Sequence, residues 1–207
     1  MRIRRRRQPQ RQRFSWAQLA FEVFVVVLGV TLALGANELR QRVVDRRVAR
    51  VALQGIAGEM AFNCDQLSRA KAYHDRLLAE LDSVRAAHPA ALDRDASITA
   101  LQALPSWHGY DPAFVTAAAY ETAQAQGALA LFPYRRALAL GRYYTFVAMY
   151  QETVRQSLGV VMETGQPTVA QVEVVLRLSS ELQRELAPQS CESARQLRAE
   201  AGDPAAS

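Results

Sequence analysis

The sequence predicts an all-α protein: an N-terminal transmembrane helix that continues into a long helix, then an irregular antiparallel helical bundle. Three observations carry this. Phe14 to Asn37 is apolar except for Glu22 and a few small or polar residues. Apolar residues from Leu39 to Val84 recur at steps near three and four, the period of a helix face. No segment shows the strict alternation of a half-buried strand.

The apolar segment comes first in the chain. Its 24 residues exceed the roughly 20 needed to cross a hydrocarbon core of about 30 Å, so 14–37 reads as a membrane span. Residues 1–13 hold seven arginines and no acid, whereas 38–50 hold five arginines with Glu38 and Asp45. Positive flanks stay cytoplasmic. The expected topology is a basic cytoplasmic tail over 1–13, a single pass over 14–37 and an extracytoplasmic remainder. Trp16 then sits at the inner interface. One lysine, Lys71, stands against 24 arginines, a usage typical of a GC-rich bacterial genome, which makes the membrane a bacterial inner membrane. A cleaved signal peptide is the rival reading, with the small pair Ala33 and Gly35 before a cleavage point. The length of the segment and Glu22 inside it argue against cleavage.

No proline stands between Gln10 and Pro89. The span should therefore run on through a juxtamembrane helix, 38–62, into the first helix of a soluble domain, 63–200. An unbroken helix over 14–86 would be about 110 Å long, so a bend is expected between Gly55 and Asn63. His88-Pro89 ends the first helix. SITALQAL, 97–104, reads as a short helix, and PSWHGYDP, 105–112, as a loop. Asp111-Pro112 should start a helix over 113–126, with a capping carboxylate and proline at its first position. Gly127 suits its left-handed end. A long helix follows over about 133–164, stopped by Gly165-Gln166-Pro167. Thr168 caps the next, to about Leu186. Pro188 should break it, with a short helical piece over 190–200 and a frayed tail over 201–207.

Charge is localised. Of the net +5, residues 1–13 hold +7 and Glu22 holds −1, which leaves −1 for 38–207. A near-neutral domain has no basic footprint for nucleic acid. The two cysteines, Cys64 and Cys191, would both face an oxidising compartment, where a disulfide is expected. It would close 127 residues and contribute roughly 3–5 kcal/mol. Two buried free thiols are the alternative.

Other residues are candidates for chemistry. Glu22 is an ionisable group in a span, a position often functional but also open to snorkelling or helix pairing. Gly29, Ala33 and Ala36 share its face at spacings of seven, four and three, which suits close helix contact with a second copy or another membrane protein. Ser68 and Lys71 match S-x-x-K, but the accompanying K-T-G is impossible with one lysine. His74, His88 and His108 lack metal-ligand spacing and read as surface or loop residues. Tyr143, Tyr144 and Tyr150 read as core, or else as the lining of a ligand groove. No cofactor or metal site is expected.

The run Glu22, Gly29-Val30, Ala33-Leu34 and Asn37 resembles the N-terminus of an uncharacterised family of bacterial single-span membrane proteins. Ala119-Tyr120-Glu121, Gly127, and Arg136 through Tyr143-Tyr144 resemble a second block of that family. The tryptophan common after the family's asparagine is absent, with Leu39 and Arg40 in its place. The resemblance implies membrane placement and a helical domain, and no activity. The expected role is a membrane-anchored interaction or scaffold protein, or an accessory subunit of a membrane complex, without catalysis. A ligand-sensing domain signalling through a partner is the alternative.

Overall fold

The computed structural model describes residues 16–88, 93–163 and 167–202. Four α-helices account for most of them: α1 (Trp16–Ala87), α2 (Ala118–Ala125), α3 (Tyr134–Glu163) and α4 (Val169–Gly202). Short 3-10 helices cover Ile98–Ala103 and Ala128–Leu131. Among the described residues there is no strand, only one isolated bridge between Ser97 and Thr168. The protein is all-α. The chain divides into two compact units, Met1–Val44 and Asp45–Ser207.

In the first unit, every side chain described on α1 is exposed. In the second, α1 buries Leu53, Met60, Leu67, His74 and Leu81 at intervals of seven, interleaved with Ile56, Asn63, Ala70 and Leu77. A repeat of 3.5 residues keeps one stripe facing the neighbouring helices. α4 repeats the pattern with Val169, Leu176, Gln183, Ser190 and Leu197, and α3 with Leu140, Val147 and Val154 beside Tyr143 and Tyr150. Each fully buried leucine contributes about 1.5–3 kcal/mol. The packed body begins at Asp45, so Leu53, Ile56, Ala57 and Met60, in the stretch read as juxtamembrane, belong to its core.

Directions follow from the ties between helices. Cys64 is bonded to Cys191, His74 meets Gln183 and Arg85 meets Glu173, so α4 runs antiparallel to α1. Asn63 meets Tyr143, and both Gln183 and His74 share a level with Tyr150, so α3 runs with α1. The chain between α1 and α3 therefore has to travel back the length of the bundle.

Several local expectations hold. The short helix read over 97–104 is present as the 3-10 helix Ile98–Ala103, and Ser97 caps it at Thr99 N. Gly127 adopts φ 71°, the left-handed conformation that only glycine takes without penalty. Thr168 and Gln171 form a reciprocal capping box at the start of α4: Gln171 N donates to Thr168 Oγ1 and Thr168 N donates to Gln171 Oε1.

Three expectations are corrected. No break occurs between Gly55 and Asn63, and α1 continues through it. Packing holds this stretch helical, with Ile56, Ala57, Met60 and Asn63 buried. A Cβ on Gly55 would meet Ala119 Cβ at 3.8 Å, an ordinary van der Waals contact with α2. The second helix begins at Ala118, five residues later than expected, because the backbone of 113–116 is bound by side chains of α1 and α3. Pro188 lies inside α4 and does not end it. Its ring is on the exposed side, while Leu186, Ala187 and Ser190 stay buried and Cys191 is tied to α1. The basic tail 1–13, the stops at Pro89 and at Gly165-Gln166, and the tail 203–207 lie outside the described residues.

Candidate functional site

The most conspicuous surface is the apolar stretch of α1. Phe21, Val26 and Leu34 are 66, 64 and 65 % exposed, and the exposure covers all sides of the helix. An 18-residue window of it has no buried residue and is long and apolar enough to cross a membrane. Helices apolar all round are covered by protein core or by lipid. Glu22, Gly29, Ala33 and Ala36 are all exposed on this stretch, and nothing lies within 4 Å of a Cβ placed on Gly29. Thr31 Oγ1 donates to Val27 O at 2.8 Å, so its hydroxyl is satisfied within the helix.

The polar groups of the helical body are used inside it. Cys64 and Cys191 form a disulfide with Cα atoms 5.0 Å apart. At the same level Tyr143 Oη meets Ser190 Oγ at 2.8 Å, and Asn63 Nδ2 donates to Tyr143 Oη at 3.4 Å. Tyr144 Oη donates to Glu59 Oε1 at 2.5 Å, and its ring stacks on Tyr120 with centroids 4.1 Å apart. Tyr143, Tyr144 and Tyr150 are thus core residues whose hydroxyls point at core partners. Tyr143 also borders a surface depression, next to Phe146 and Pro188. Burial raises the Tyr143 and Tyr144 phenols, the latter also through the Glu59 carboxylate, and pushes Tyr150 up to about 12.

The return segment between α1 and α3 is gripped by side chains. Along α1, Glu80 takes Ser106 N, Tyr73 donates to Gly109 O, Asn63 binds both Thr116 N and Thr116 O at 2.9 Å, and Glu59 accepts from Ala119 N and Tyr120 N. From α3, Tyr150 Oη accepts from Ala113 N and Gln151 donates to Val115 O. These bonds replace the ladder that a strand or helix would give the backbone. They explain why 113–117 does not join α2. Glu59 also places a carboxylate on the first amides of α2, a cap supplied from another helix.

His74 is fully buried, which corrects the expectation of a surface residue. It falls in the heptad row between Leu67 and Leu81, where an apolar side chain is usual. Nδ1 lies 3.2 Å from Gln183 Oε1, and Gln183 Nε2 donates to Tyr150 Oη at 3.0 Å. The ring lies parallel to Tyr110. Nε2 makes no hydrogen bond of normal geometry, although the Asp111 backbone is near enough to favour a proton there. Burial dominates and holds the imidazole below its usual range. His88 and His108 are exposed. Lys71 pairs with Asp75 and Ser68 is exposed, so S-x-x-K forms no dyad. Among the described residues no group of three or more His, Cys, Asp or Glu is placed to hold a metal ion.

Two apolar grooves mark the surface of the body. One, of about 270 Å³, lies among Arg46, Ala49, Arg50 and Leu53 of α1, Phe132 before α3, Arg136 and the end of α4. The other, of about 570 Å³, lies between α1 and α2 and is lined by Val48, Val51, Gly55, Ala119 and Ala123. Neither groove was foreseen, because each joins residues far apart in sequence.

Comparison of the chain with family models, with curated proteins and with solved structures finds no match. The family resemblance gains nothing from them. What stands is a long apolar helix suited to a membrane and a helical body.

Proposed function

We propose that this protein is a single-pass, membrane-anchored interaction protein, a scaffold or an accessory subunit of a membrane complex, with no catalytic role. The observation that carries the reading is the apolar stretch of α1, whose described side chains are exposed on all sides of the helix. In this reading the bilayer covers it. The arginine-rich tail stays in the cytoplasm of a bacterium, and the helical body lies outside the inner membrane. Glu22, Gly29, Ala33 and Ala36 form the face that meets a second copy or another membrane helix. The use of Glu59, Asn63, His74 and the tyrosines as internal ties supports a structural role for the body. The alternative is a ligand-sensing domain that signals through a partner, with Tyr143 at the edge of a surface depression.

The test is labelling of Cys64 and Cys191 with a membrane-impermeant maleimide in cells with a permeabilised outer layer. Labelling only after reductant is expected. Labelling that requires lysis of the inner membrane would sink the topology. Gly29→Leu should weaken association in mild detergent while the body stays folded. Unchanged association removes that face.

A further inference from the structure

We propose that the groove at Arg46 and Arg50 binds a single-chain amphipathic anion, a medium-chain fatty carboxylate. The groove's floor is apolar: Ala49 and Leu53 from α1 and Leu131 and Phe132 from the turn before α3. Its rim carries Arg46, Arg50 and Arg136 against the carboxylates of Asp45 and Glu200, a net charge of +1. Arg136 is occupied, since it approaches Glu200 to 2.5 Å. The N–H is not aimed at Oε2 well enough to count as a hydrogen bond, so the contact is one of charge. No ion pair of Arg46 or Arg50 is found among the described residues, and both line the groove from positions one helical turn apart on α1. Two cations beside an apolar slot complement a ligand with an anionic head and an alkyl chain, because guanidinium pairs with carboxylate through two parallel hydrogen bonds. Size decides the number of chains. At about 270 Å³ the slot falls just under the range of roughly 300–1,000 Å³ typical of small-molecule sites, which admits one alkyl chain and excludes a diacyl lipid. The site is independent of topology, and it would give the anchored body a ligand without using the buried tyrosines.

The experiment uses the full chain in lipid nanodiscs, because detergents are themselves single-chain amphiphiles. Decanoate is titrated by calorimetry, with empty nanodiscs subtracted to remove partition into lipid. Saturable binding of one decanoate per chain is expected, at least tenfold tighter than decanol. Arg46→Gln with Arg50→Gln should weaken it tenfold or more with an unchanged melting temperature. Ala49→Phe, which fills the floor, should abolish it while the arginines remain. Binding no greater than that to empty nanodiscs overturns the proposal. So does equal affinity for decanol, or full affinity in the folded double arginine variant.

Discussion

Breaking the Cys64–Cys191 bond tests how the helical body is held. The bond joins α1 to the antiparallel α4 across 127 residues of sequence, so the loop it closes contains α2, α3 and both 3-10 helices. In the chain-entropy model the reduced, unfolded chain regains about 16 cal/mol/K, or about 5 kcal/mol at 25 °C. That is comparable to the whole stability of many domains, roughly 5–15 kcal/mol. The remaining ties at the same level, Tyr143 to Ser190 and Asn63 to Thr116, are hydrogen bonds with net worth of about 1 kcal/mol each. They cannot replace it. The assay is urea unfolding of the full chain in mild detergent, followed by helical circular dichroism, with and without reductant. Cys64→Ser with Cys191→Ser should match the reduced protein, and both should unfold at a much lower midpoint than the oxidised one. Midpoints that coincide in all three samples would refute the reasoning, as would rapid thiol labelling of the native oxidised protein.

Three further outcomes are expected. Burial lowers the pKa of His74 in the folded chain, so the unfolded chain takes up a proton first as pH falls through 6.5. Its contribution is therefore present above that pH and lost as pH falls, by at most about 1.4 kcal/mol per unit. Urea midpoints should drop between pH 6.5 and 5, and His74→Gln should flatten that slope; equal slopes exclude His74 as the cause. Glu59→Ala removes the acceptor of Ala119 N, Tyr120 N and Tyr144 Oη and should cost about 3 kcal/mol or more, with Glu59→Gln milder. A loss below about 1 kcal/mol in urea would show that water takes over those donors. Pro188→Ala restores a helical N–H on the exposed side of α4 and should raise stability by about 2 kcal/mol after the looser unfolded chain is counted, read as a higher melting temperature. A lower one would mean that α4 needs its proline.

The sequence by itself determined the features that depend on near neighbours in the chain. Helical period, the apolar stretch of α1, the capping box at Thr168 and Gln171 and the left-handed Gly127 all follow from residues within about one turn of each other. His74 was legible too, by its place seven residues from both Leu67 and Leu81, had the heptad been followed through the step from Ala70 to Leu77. Tertiary structure decided the rest. Asp111-Pro112 carries a good helix start, yet 113–117 is not helical because Asn63, Tyr150 and Gln151 bind its backbone from two other helices. Pro188 carries a good helix stop, yet α4 passes through it because burial on the opposite side and the bond to Cys64 hold its course. The grooves at Arg46 and at Gly55 exist only where distant elements meet. Local preferences are worth about 1–3 kcal/mol. Side-chain ties and core burial summed over several residues exceed that, and where the two disagree the packed body prevails.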